Sequence, residues 1–249
     1  MAEIVYPPVI GALKTMFRVL DMKIDIVGAE NVPTTGGAVL VSNHISYLDF
    51  IFAGLAARPS RRLVRFMAKK EVFDNKISGP LMRGMHHIPV DRAEGAGAYI
   101  AALRALKAGE VVGVFAEATI SRSFTVKEIK NGAVRMAAAT NTPMIPMALW
   151  GTQRLWTKGR KRALGQRHIP ITILVGEPMH PKRGEDMDAH TAELRRRIAE
   201  LVDKAQRGYA EIPEGVWWQP AHLGGSAPTP EEAEALDAAE REAREARRD

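Results

Sequence analysis

Between residues 23 and 176 the chain alternates between short apolar runs and stretches with helical spacing, and this alternation restricts the fold more than any other feature. The β-like runs fall at 24–27, 38–42, 63–67, 87–90, 111–115, 144–149 and 171–175, and residues 48–57, 95–108 and 132–140 carry helical composition between them. Strands separated by helices predict an α/β domain, with helices over a central, mostly parallel or mixed sheet. In such sheets ligands gather at loops that leave the strand ends, so chemistry is expected there. The reading places an N-terminal amphipathic helix in 1–22, the α/β domain in 23–210, including a helix over 188–207, and a C-terminal extension in 211–249.

In the N-terminal segment, Val9, Ile10, Leu13, Met16, Phe17 and Leu20 recur at helical spacing, with Lys14 and Arg18 toward the other side. Such a helix covers the core of its own domain or lies in a lipid headgroup layer, its basic side chains reaching phosphates. The same stretch has Glu3, Pro7 and Pro8 where an export signal needs a basic start and a cleavage site, so a cytoplasmic protein is expected. No apolar run reaches the roughly 18 residues of a spanning helix, and any membrane attachment is expected to be peripheral or monotopic. The end of the chain, rich in Ala, Glu and Arg, reads as a solvated helix or a disordered tail without a catalytic role.

With no cysteine, thiol nucleophiles, thiolate metal sites and disulfides are excluded. The net charge of +6 suits an anionic partner, and basic residues crowd at Arg58, Arg61, Arg62, Arg65, Lys69 and Lys70 and again at Arg154, Lys158, Arg160, Lys161, Arg162 and Arg167. Nucleic acid is not the expected partner, because neither a binding motif nor interleaved aromatics accompany these patches.

Three strand exits carry polar side chains suited to chemistry. In AVLVSNHISYLDF, a strand delivers Asn43 and His44, and Asp49 follows five residues later. A turn leading into a helix can bring that carboxylate back to the ring, either as a structural pair in the interior or as a catalytic one in which Asp49 selects the tautomer and steadies the imidazolium as His44 takes a proton from an alcohol. Asn43 suits a hydrogen bond to its own turn, and Ser46 a helix cap. A Ser46 nucleophile is disfavoured, since no Gly-x-Ser-x-Gly elbow surrounds it. In GMHHIPVDR, Asp91 and Arg92 sit at a strand end, where a guanidinium clamps phosphate in bidentate fashion. In VVGVFAEATISRS, Glu117, Thr119, Ser121, Arg122 and Ser123 leave the next strand. Lys127, Lys130 and an Asn131–Gly132 turn then open a helix whose first amides suit an anion. His86 and His87 are adjacent in a strand and point to opposite faces, so a metal site with His44 and Asp49 is not expected.

In this order, these stretches resemble the glycerolipid acyltransferases of the PlsC (1-acyl-sn-glycerol-3-phosphate acyltransferase) type. The resemblance covers about residues 36–150. Residues 43–49 match the family's N-H-x4-D block, 84–92 its second block, 115–119 its third, usually F-P-E-G-T-R-S, and 142–146 its fourth. Ala116 and Ala118 depart from the usual Pro and Gly, and the nearest arginine, Arg122, comes two positions late. The resemblance implies His44 and Asp49 as catalytic residues and Arg92, Glu117, Thr119 and Arg122 as substrate-binding ones. It further implies an acyl donor (acyl-CoA or acyl carrier protein), a lysophospholipid acceptor, no bound cofactor, and work at an anionic membrane surface on the cytoplasmic side. Acyl transfer to another hydroxyl, or a lipid-binding module without catalysis, are the alternatives.

Overall fold

A computed structural model of the chain describes residues 3–91, 95–115, 117, 119–209 and 213–246. The elements run α1 (Tyr6–Val19), β1 (Lys23–Val27), β2 (Ala38–Ser42), α2 (Asp49–Ala56), β3 (Val64–Lys69), α3 (Lys70–Asp74), α4 (Ser78–Gly84), β4 (Ile88–Val90), α5 (Gly95–Lys107), β5 (Val111–Phe115), α6 (Gly132–Thr140), β6 (Met144–Trp150), β7 (Pro170–Val175), α7 (Met187–Arg207) and α8 (Pro230–Glu245). Every expected strand is present. The short α3 and α4 escaped the sequence reading because five or seven residues are too few to display a helical period.

The strands form one mixed sheet in the order β1-β7-β6-β2-β5-β3-β4. All neighbours are parallel except β6 and β7, so β1 and β7 run opposite to the other five strands. Residues of β2 and β6 are buried throughout, as expected of strands covered on both faces, whereas β1 alternates between exposed and half-buried at the sheet edge.

Period-two alternation divides the core into two layers. Val39, Val41, Ala148 and Trp150 face α5, α6 and α7, packing with Leu106, Val134, Leu194 and Ile198. Leu40, Ile145, Leu149 and Ile173 face the other way, toward Phe17 of α1 and Phe52 of α2. In the middle of β5, Gly113 leaves the space that the Phe66 ring occupies, since an added Cβ would overlap that ring.

Helix α1 covers its own domain with one stripe. The Tyr6 hydroxyl donates to the Val64 carbonyl at 2.7 Å, and Phe17 stacks on Phe52 with ring centroids 5.2 Å apart. Its outer side leaves Met16 and Val19 exposed, as is Ile4 just before the helix. At the other end of the chain, the tail expected to be a solvated helix or disordered is a helix, exposed along most of its surface but docked on the domain by one stripe. A Thr229–Glu232 capping box with Pro230 in the first turn starts α8, and Ala233 and Asp237 are buried against the domain.

Candidate active site

Strand β2 lies between β5 and β6, and all three point the same way. Their C-terminal ends therefore deliver residues 43–48, the Glu117 loop and residues 151–157 to one end of the sheet. There Asn43 does not make the local turn bond expected of it. Its side chain extends the sheet instead, accepting from Leu149 N at 2.8 Å and donating to Leu149 O at 3.0 Å, and this holds the loop to β6 one residue beyond the β2 ladder.

Asp49 opens α2 and folds back on the preceding loop. Its Oδ2 accepts from His44 Nδ1 at 2.9 Å, Ile45 N at 2.7 Å and Ser46 N at 2.8 Å, and its Oδ1 accepts from the Thr152 hydroxyl at 2.6 Å. The carboxylate is fully buried and is met by four donors, so it acts as an acceptor throughout, with the positive end of α2 behind it. His44 Nδ1 must then carry a hydrogen, and Nε2 holds the lone pair. The ring lies on Phe115, with centroids 4.4 Å apart, and the side chain is 21% exposed, enough to meet a substrate. An imidazole held this way can take a proton from a hydroxyl and return it to a leaving group.

Three hydroxyls secure the loop, two of them, Thr152 and Thr157, missed in the sequence reading. Beside Thr152, Thr157 Oγ1 donates to Ile45 O at 2.6 Å and Ser46 Oγ to Trp156 O at 2.7 Å. Ser46 also accepts from Leu48 N at 3.1 Å, which makes it a brace and not a nucleophile. The only sequence signal for Thr152 and Thr157 was their place just after β6, because their partners lie more than a hundred positions away.

Glu117 turns toward the same loop. Oε1 accepts from His44 N at 3.0 Å and Oε2 from Lys127 N at 3.2 Å. Burial pushes its carboxyl up to about 8 against the pull of those two N–H groups and the Lys127 charge, and nearby Asp49 adds to the rise. Ser121 N donates to His44 O at 2.7 Å, so both main-chain groups of His44 are held by the segment after β5. Thr119 accepts from Lys127 Nζ at 3.1 Å. Arg122 is turned to α8, pairing through Nε with Asp237 at 2.9 Å and through Nη2 with Glu240 at 2.8 Å. Arg92 lies outside the described residues.

His87 is a core residue. Its Nδ1 accepts from Phe66 N at 3.1 Å, and burial holds it down to about 4, with Arg65 and His86 adding to the effect. Parts of both basic patches are structural. Arg65 pairs with Glu3 and Glu110, while Arg154, Arg160 and Arg162 lie over Trp218, Trp217 and Trp156 at 4.7, 4.9 and 4.0 Å. Among the described residues, no group of three or more His, Asp or Glu side chains is placed to hold a metal ion.

Fold and site together define a mixed α/β domain with a buried carboxylate behind a partly exposed histidine at the strand ends. Comparisons with known proteins assign it further. The family model described as Acyltransferase matches residues 23–150. A 1-acyl-sn-glycerol-3-phosphate acyltransferase of Bacillus subtilis is 31% identical over 192 residues, covering 73% of this chain and 89% of that protein. The chloroplastic enzyme LPAT1 of Arabidopsis thaliana, of the same name, is 32% identical over 185 residues, which are 73% of this chain and 49% of that longer protein. The crystal structure of the 1-acyl-sn-glycerophosphate acyltransferase PlsC from Thermotoga maritima shares the fold, with a TM-score of 0.64, 24% identity, and coverage of 80% of this chain and 78% of that one. The chain belongs to the acyltransferase family.

Proposed function

We propose that this protein transfers a fatty acyl group from acyl-CoA or acyl carrier protein to the free hydroxyl of a 1-acyl-glycerol 3-phosphate, giving phosphatidic acid. The observation that carries the reading is the His44 Nδ1–Asp49 Oδ2 hydrogen bond at 2.9 Å, which makes Nε2 the basic nitrogen at a partly exposed edge. The names of the Bacillus and Arabidopsis relatives support the choice of acceptor.

In the proposed reaction the acceptor hydroxyl gives its proton to Nε2 as its oxygen attacks the thioester carbonyl. The tetrahedral intermediate collapses, the C–S bond breaks, and the thiolate recovers the proton from the imidazolium. Asp49 stabilises that imidazolium, and Glu117 sets the backbone on which His44 sits. Arg92, Thr119 and Arg122 are assigned to acceptor binding on the strength of the sequence blocks.

The reaction places the enzyme at a lipid surface. No helix among the described residues is long and apolar enough to cross a membrane. Peripheral docking to the cytoplasmic leaflet through α1 and α4 fits the exposed Ile4, Met16, Val19, Ile77 and Leu81, since the start of α1 abuts Gly84 of α4. Anionic headgroups would meet Lys14 and Arg18 on the same helix.

The test is thiol release from palmitoyl-CoA by the wild type and His44→Ala, with and without lysophosphatidic acid, and identification of the lipid by mass spectrometry. Phosphatidic acid from the wild type alone, with thiol release dependent on the acceptor, supports direct transfer. Thiol release indifferent to the acceptor would replace the proposal with a thioesterase. A folded wild type active only on another hydroxyl would replace the acceptor.

A further inference from the structure

Arg122, Lys127 and Lys158 come from two segments of the domain that are distant in sequence, yet their cationic groups converge. Around Asp237, Arg122 Nε lies 2.9 Å and Lys158 Nζ 2.6 Å from Oδ1, and Lys127 Nζ lies 2.7 Å from Oδ2. Glu240 completes the cluster, with Arg122 Nη2 and Lys158 Nζ each 2.8 Å from Oε2. All three cations belong to the domain and both carboxylates to α8. The cradle adjoins the histidine loop, because Glu117 joins the backbone of Lys127 to that of His44 and Ser121 N joins it again.

Helix α8 is docked mainly by this charge. Its inward stripe is Ala233, Asp237 and Glu240 at helical spacing, and its larger apolar residue Leu236 is 47% exposed, so little apolar area holds the helix down. Burial penalises the Asp237 carboxylate, but the three cations outweigh it and hold the group well below the ordinary carboxylate range. If α8 left, three positive groups would face one another with no counter-charge. The helix is therefore stable where it lies unless another anion takes its place, and the two carboxylates bring the charge of a phosphate monoester dianion.

We propose that Arg122, Lys127 and Lys158 form a binding site for the phosphate group of a phosphorylated ligand, and that in the free protein α8 fills it with Asp237 and Glu240, so that ligand binding and α8 docking exclude one another. This rests on the acyltransferase reading for the identity of the ligand, which is either the acceptor's phosphate or a phosphate of CoA, but not for the exchange itself.

Because the chain has no cysteine, Ala233→Cys places a single thiol on the buried stripe of the full-length protein, and its reaction rate with a maleimide reports whether α8 is docked. At constant ionic strength set by chloride, inorganic phosphate is expected to speed labelling about fivefold or more, and adding Asp237→Asn with Glu240→Gln to do the same without phosphate. Acceleration by lysophosphatidic acid in phosphatidylcholine vesicles and not by desulfo-CoA, which keeps the phosphates of CoA without its maleimide-reactive thiol, assigns the site to the acceptor; the reverse assigns it to the acyl-CoA donor. In turnover, Asp237→Asn/Glu240→Gln should lower KM for that ligand with kcat little changed, while Lys158→Gln, which weakens docking as well, should raise it. A merely structural ion cluster would not give opposite signs. Labelling unmoved by all three ligands, or a KM that rises or stays the same in the double variant, overturns the proposal. The labelling arms need no turnover, so an inactive wild type would remove the acyltransferase reading and leave this one to be decided.

Discussion

Replacing Asp49 by Asn separates the carboxylate's charge from its hydrogen bonding, because of how its four donors are distributed. Three of them, from His44, Ile45 and Ser46, converge on Oδ2, and only the Thr152 hydroxyl meets Oδ1. An asparagine satisfies all four by placing its carbonyl oxygen at the Oδ2 position and its NH2 toward Thr152, whose hydroxyl rotates to accept. His44 then keeps its hydrogen on Nδ1 and its orientation, and what disappears is the negative charge beside the imidazolium. For charge centres about 4 Å apart at an effective dielectric constant of about 20, that attraction amounts to about 4 kcal/mol. If it is expressed in the transition state, kcat falls about a thousandfold. Asp49→Ala should differ in kind, since it leaves two buried backbone N–H groups without an acceptor at about 1–3 kcal/mol each. The assay pairs thiol release and product identification with thermal melts. Asp49→Asn should melt close to the wild type with kcat reduced about a thousandfold. A kcat within tenfold of wild type for a well-folded Asp49→Asn would refute the argument and make the pair a structural one.

Two buried titrating groups should tilt stability in opposite directions with pH. Glu117 is raised from 4.5 to about 8, so the folded state keeps a proton that the unfolded chain releases; its contribution is complete below pH 4.5 and is lost as pH rises through 8. Denaturant titrations across that range should show a shallower decline for Glu117→Gln than for wild type, and an unchanged slope would count against a buried neutral carboxyl. His87 is lowered from 6.5 to about 4, so its contribution is complete above pH 6.5 and falls by about 3 kcal/mol as pH drops to 4. His87→Asn, which keeps an acceptor for Phe66 N, should lose less stability over the same interval in the same experiment. Gly113→Ala should cost about 1–3 kcal/mol by driving a methyl into Phe66, with a lower melting temperature as the readout. Since Phe66 stacks on Phe115, which lies under His44, kcat should fall with it; unchanged melting and turnover would show that the ring moves aside freely.

What could be read from the sequence was what neighbouring residues decide. Apolar runs of 4–6 residues pointed to the seven strands, because side-chain direction alternates within a strand whatever it pairs with. The His44–Asp49 contact was legible for the same reason, since five residues are enough to make a turn and the first position of a helix. Tertiary structure alone decided the partners that come from afar. The reversal of β7 against β6, the Asn43 bridge to Leu149, the Thr152 brace on Asp49 and the inward turn of Glu117 all join segments with no shared local pattern. The C-terminal tail shows this most sharply. Ala, Glu and Arg at helical spacing suffice to write a helix, but its docking depends on Asp237 meeting Arg122, 115 positions away, with Lys127 and Lys158 beside it. Charge patterns state what a helix can attract, and only the folded chain brings the complementary charges to one place.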